Sequence, residues 1–428
     1  MKLMRHASLT LLALGVLTLQ ACGGDGESNS PTSPSSPTTQ TVRVSGSISA
    51  NTTWSASNVY LLQGAVFVRA GSTLTIEPGT KVVGEKSSLG TLVVERGARL
   101  LANGTADRPI VMTSEAAAGS RRRGDWGGLI LNGAAPINVA GGEKFGEGDT
   151  GRFGGSDPAD SSGSLQYLRV EFAGIEFSPD NELNGIAFQG VGGGTLCDHL
   201  QVHYNQDDAF EWFGGTVSCK YLLATAAGDD SFDWTDGWTG RGQFWIAQQK
   251  ADDADNGFET DNLSSNVNAE PRSNPTLYNV TLIGDPSTAT GSGSANGMVL
   301  RVGTAGTLRN FIVMGFKRSG ADVRDASVAQ ANSGALSVSN SIFHANGSGP
   351  TTYGAWATTG AIVDVNPQLA DPYNLAAPNF QPAAASAARS GALAVAAAPG
   401  DGFFETVNFI GAVGATNWAT GWTTAAQN

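Results

Sequence analysis

Basic residues are few and dispersed in this sequence. Its 428 residues hold 25 Lys and Arg against 38 Asp and Glu, a formal net charge of −13. Only Arg121-Arg122-Arg123 gathers basic charge, and it reads as a short cluster on a solvated loop. An acidic chain of this kind is a poor partner for nucleic acid or an anionic lipid surface. Long apolar runs are missing too: beyond the N-terminal segment, no stretch is long and apolar enough to span a bilayer. No EF-hand-like loop is present, so a calcium site would have to draw its carboxylates from neighbouring coils. Cysteine is limited to Cys22, Cys197 and Cys219.

Residues 1–21 read as a secretion signal, with Lys2 and Arg5 ahead of the apolar run from Leu9 to Leu19. Leu19-Gln20-Ala21-Cys22 is similar to a bacterial lipobox, which implies lipidation of Cys22 and a place on the bacterial outer membrane, at its cell-surface or periplasmic face. An ordinary signal peptide with an incidental Cys is the alternative. Residues 22–40 are rich in Ser, Thr and Pro and are expected to form a flexible tether. Loss of Lys2 and Arg5 leaves 23 basic against 38 acidic residues, a charge of −15. The membrane, through the lipid, is thus an expected partner, with a glycan or an outer-membrane receptor beside it.

What the chain has in abundance is glycine, 57 residues, and a repeat. The stretch starting at Gly194 recurs at Gly215: Cys197/Cys219, Asp207/Asp229, Asp208/Asp230, Phe210/Phe232 and Trp212/Trp234 are each 22 apart. The same core motif is found at Asn184-Gly185-Ile186, Asn256-Gly257-Phe258, Asn296-Gly297-Met298 and Gly320-Ala321-Asp322, in steps of 24, 22, 26, 40 and 23 residues. A fixed period in the twenties with strand-like alternation marks a solenoid. The expected fold is all-β, a right-handed parallel β-helix over residues 41–400, with 401–428 as an irregular capping segment. Residues 133–163 interrupt the pattern as an excursion that either carries binding specificity or is a surface loop. The Ala-rich run 383–398 is expected to cover the terminal coil or its edge.

Leu74-Thr75-Ile76-Glu77-Pro78-Gly79-Thr80, Gly124-Asp125-Trp126-Gly127-Gly128-Leu129-Ile130, Asp207-Asp208-Ala209-Phe210-Glu211-Trp212 and the ending Phe409-Ile410-Gly411-Ala412 … Trp418-Ala419-Thr420-Gly421-Trp422 resemble a group of secreted bacterial proteins with the pectin-lyase-like β-helix fold. The resemblance spans nearly the whole mature chain and implies that fold; it implies no particular function.

In a parallel stack, equivalent residues of successive coils lie about 4.8 Å apart. If Phe210, Phe232 and Phe258 point inward, Glu211, Asp233 and Glu259 form an outward column. Asp207, Asp229 and Asp255 form a second at the adjoining corner, and Asp208, Asp230 and Asn256 a third. So much like charge needs compensation or raised pKa values, and three readings compete. Calcium accepts six to eight irregularly placed oxygens, and Asp207, Asp208, Glu211, Asp229, Asp230, Asp233, Asp255 and Glu259 could supply them. A glycoside hydrolase would use Asp208 and Asp230 as paired acids. Asn205-Gln206-Asp207-Asp208 and Gly228-Asp229-Asp230 resemble the paired aspartates of β-helical polygalacturonases, although that family's Gly-His-Gly and Arg-x-Lys motifs are missing. The third reading is that the acids cap corner amides.

Trp212 and Trp234, with Arg301 and Arg324 (23 apart), could flank a sugar; inward indoles would instead form a core ladder. His199 and His203 alternate with Leu200 and Val202 and are expected to face solvent. Cys197 and Cys219, one coil apart in an oxidising compartment, are expected to form a disulfide, with stacked thiols as the alternative.

Overall fold

Segments of alternating apolar residues pair in parallel with their equivalents one repeat later. The computed structural model describes residues 39–178, 181–250, 252–287, 293–347 and 362–428; the signal segment, Cys22 and the tether to residue 38 lie outside them. Lys81–Gly84 pairs with Ile110–Ser114, and that strand with the second half of Gly163–Glu171. Leu196–His203, Ser218–Thr225, Arg241–Gln248, Thr276–Ile283, Ile312–Met314 and Ser341–His344 follow in order along this first ladder. A second ladder runs through Gly128–Asn132, Ile186–Gln189, Phe210–Phe213, Phe232–Thr235, Asn256–Thr260 and Asn296–Leu300. The third takes Thr73–Ile76, Arg99–Asn103 and the first halves of the long strands, ending in Gly306–Arg309 and Leu336–Ser339. Three such ladders around one core make the right-handed parallel β-helix that the repeat predicts.

Each long strand turns from the third ladder to the first at one residue with positive φ: Tyr167, His199, Tyr221, Phe244, then Asn279, with Asn310 and Asn340 at the equivalent corners. Asn tolerates this conformation; a ring does so only where packing repays it. The rings stack from coil to coil, Tyr167 on His199 at 4.4 Å, His199 on Tyr221 at 4.2 Å and Tyr221 on Phe244 at 4.9 Å.

Inside, Phe210 stacks on Phe232 at 5.5 Å and Trp212 on Trp245 at 4.9 Å, all fully buried. Each such side chain contributes about 1.5–3 kcal/mol by burial. The Cys197–Cys219 disulfide forms across the same two coils, its Cα atoms 4.7 Å apart.

Two segments lie against the outside. The 133–163 excursion packs on the second ladder through Ile137 and Phe153, against Ile130, Ala187, Leu183 and Phe213. Its antiparallel pair, Glu143–Phe145 with Arg152–Gly154, carries Lys144 to Asp236 at 2.5 Å. It is therefore a packed element rather than a surface loop. The C-terminal residues run along the outer face of the first ladder as a strap, and Ala394 of the Ala-rich run accepts from Asn340 of a late coil. Phe380, Ala388, Ile410, Ala412 and Val413 cover outward Leu223, Ile246, Ile283, Ile312 and Ile342. Hydrogen bonds from Asn279 to Phe409 O, from Ala412 N to Thr281 and between Gln201 and Thr424 fix the strap's path.

Candidate metal centre on the acidic face

The corner from the first ladder to the second repeats one backbone path, so its side chains stack. Asp208 Oδ1 accepts the amide of Asp230 at 2.8 Å, and Asp230 Oδ1 accepts the amide of Asn256. Asn256 in turn accepts from the Asn296 side chain at 2.9 Å. One oxygen of each aspartate thus caps the corner amide of the next coil, whereas the equivalent Asn256 accepts from a side chain. The negative charge, which Asn would not bring, is left for another purpose.

That charge is concentrated. Asp207, Asp208 and Asp229 each offer a ligand atom within 4.8 Å of the others; so do Asp229, Asp230 and Asp255, and so do Asp208, Glu211 and Asp233. Asp208 and Asp229 each belong to two of these groups. The packing places seven of the eight sequence-derived ligands together. Glu259 stands apart, because Arg301 bonds it at 2.6 Å and Asp261 at 2.8 Å.

Burial pushes the carboxyls of Asp208, Glu211, Asp230 and Asp233 well above the ordinary range, with neighbouring acids adding to the shift. Asp207 is pushed up to about 8, by burial first and then by Asp229 and Glu147. Glu259 rises to about 7 through burial, against the pull of Arg301. Burial and like charge thus favour the protonated forms of these acids, and a bound cation would favour the ionised forms. Hard oxygen ligands on three successive coils, without fixed angular geometry, suit calcium better than a smaller ion that demands an octahedron.

Two contributors to this face escape a repeat-based reading. Glu147 comes from the excursion, where burial raises it to about 7. Glu182 comes from the short Asn181–Glu182 strand and adds to the shifts of both Glu147 and Asp207. Both sit in insertions, so no period could align them; only the acidic composition of the excursion hinted at the first. Asn184, on the coil below, donates to Glu211.

Several expected roles change. Trp212 and Trp234 are fully buried, because they share the inward parity of Phe210 and Phe232, so they form the core ladder and no sugar platform. Arg301 is committed to Glu259 and Asp261, and Arg324 pairs with Asp322 at 3.5 Å. His199 and His203 do point away from the core, but His203 is buried under the strap, bonded to Thr225 and to Ala426 O at 2.7 Å. The His199 ring is enclosed between Tyr167 and Tyr221, with Trp418 and Trp422 at its edge. For the hydrolase reading, Asp208 and Asp230 are on adjacent coils, yet each gives an oxygen to the backbone.

Comparison with curated proteins and with solved structures finds no match. A family model does match: the pectate-lyase like beta helix domain covers residues 46–423, nearly the whole described solenoid and strap, and the chain belongs to that family.

Proposed function

We propose that this β-helix is a cation-binding module of the cell envelope, with calcium held on the acidic face by Asp207, Asp208, Glu211, Asp229, Asp230, Asp233 and Asp255. The observation that carries the reading is the set of three carboxylate groups linked through Asp208 and Asp229. Corner capping accounts for one oxygen each of Asp208 and Asp230 and does not require their charge. A glycan site loses its aromatic platform with the burial of Trp212 and Trp234, so the proposal is confined to the ion.

The test is thermal unfolding after chelation, with calcium titrated back. A ligand of the folded state raises stability by RT ln(1 + [L]/Kd), so the midpoint should climb with calcium and stay flat in the Asp208→Asn/Asp230→Asn protein. A midpoint that ignores calcium in the unaltered protein sinks the reading. The setting we propose is a lipid anchor at Cys22 in the outer membrane. A Cys22→Ala chain should be released from that membrane, and one that still fractionates with it contradicts the anchor.

A further inference from the structure

The arginine cluster expected on a solvated loop is largely enclosed: the side chains of Arg121 and Arg123 are 16% and 9% exposed. Backbone carbonyls orient them, Ala116 O for Arg121 and Ala226 O for Arg123, and Arg123 also lies over the Tyr204 ring at 5.4 Å. Two depressions adjoin here. One, of about 370 Å³, is lined by Arg121, Arg122, Arg123 and Lys250. The other, of about 350 Å³, is lined by Lys81, Arg121 and Arg169, so Arg121 belongs to both.

Six cations meet three side-chain carboxylates at this place, and Asn428, which ends in a further carboxylate, also lines the first depression. Asp252 and Asp253 pair with Arg123, Asp252 also with Lys250, and Glu171 with Arg121 and Arg169. Lys81 and Arg122 have no carboxylate within ion-pair distance among the described residues. Burial first, and then the neighbouring Arg121, hold the Lys81 ammonium below its ordinary pKa against the opposing pull of Glu171. In a chain of net charge −13, a local positive excess inside two concave sites is not an average of the surface.

We propose that the two depressions, joined at Arg121, form one anion site for a small ligand bearing two phosphate groups. Guanidinium forks bind phosphate through paired charge-assisted hydrogen bonds. A phosphate monoester carries roughly −1.5 to −2 at neutral pH, so two such groups cover the excess that a lone carboxylate would not. The ligand is either free in solution or the headgroup of a phosphorylated lipid.

Calorimetric titration of pyrophosphate into the full chain, in metal-free buffer of fixed ionic strength, tests this. Saturation at one per chain is expected, with inorganic phosphate weaker by about tenfold or more. Lys81→Ala and Arg122→Ala, at exposed positions, should each weaken pyrophosphate by about tenfold without moving the unfolding midpoint. Asp208→Asn/Asp230→Asn should bind it as the unaltered protein does, which separates this site from the ion site. Absence of saturable heat, equal affinity for phosphate and pyrophosphate, or indifference to both cation variants overturns the proposal. Co-sedimentation with vesicles containing a bisphosphorylated lipid, competed by pyrophosphate, assigns the source to a headgroup. Pyrophosphate binding without co-sedimentation supports the site and assigns a free ligand.

Discussion

At the scale of the residue, Asp208 has two opposed effects. Its Oδ1 stabilises the corner by accepting the Asp230 amide, while burial and the surrounding acids penalise its charged form. Asparagine keeps the acceptor and removes the charge. Asp208→Asn should therefore stabilise the chelated protein at neutral pH, raising its denaturant midpoint, because burial no longer acts on an ionisable group. It should at the same time reduce the response to calcium. Denaturant unfolding with and without calcium checks both, and a destabilised chelated protein would show that the charge is compensated by something other than an ion. Asp207, Asp208, Asp229 and Asp230 were legible in the sequence because a 22-residue period aligned them. Glu147 and Glu182 were not, because insertions carry them to the face by tertiary packing alone. The choice between inward and outward tryptophan needed strand parity, which Phe210 and Trp212 share.

At the scale of the element, the strap is what distinguishes this solenoid from a bare stack. A repeat array is held by nearest-neighbour contacts, but the strap joins coils far apart, from Asn310, bonded to Ala396, to His203, bonded to Ala426. Trp422 is buried against Tyr167 and His199, and its carbonyl accepts from Arg169. Trp422→Ala should cost about 3 kcal/mol, the usual loss for a buried indole. Hydrogen exchange should quicken in 417–427 and at the outer edge of Leu196–His203, while the core of the second ladder stays protected. Uniform loss of protection would mean that the strap and the coils unfold as one unit. The ladders could be read from alternation and the C-terminal residues as a cap, but not which strands that cap covers. Leu223 and Ile246 look like any strand residue, and nothing local says that a distant segment covers them.

At the scale of the whole molecule, the acidic face predicts an unusual pH dependence. A carboxyl with a raised folded-state pKa contributes stability that is full below its unfolded value, about 4, and is lost as pH rises through the folded value. Those values are about 7 for Glu147 and Glu259 and about 8 for Asp207. His203 works oppositely: burial lowers it to about 4, so its contribution is lost as pH falls from about 6.5. The two effects separate above pH 6.5, where chelated protein should lose stability up to about pH 8 and calcium should restore it. A midpoint that rises across that interval without calcium would contradict the raised pKa values. The most direct test of the central claim is calcium titration calorimetry in two buffers of different ionisation heat. Binding to protonated carboxyls must release protons, so the apparent heats should differ between buffers, and both heat and proton release should collapse in Asp208→Asn/Asp230→Asn. No saturable heat up to about millimolar calcium, the weakest class of extracellular site, would contradict the account.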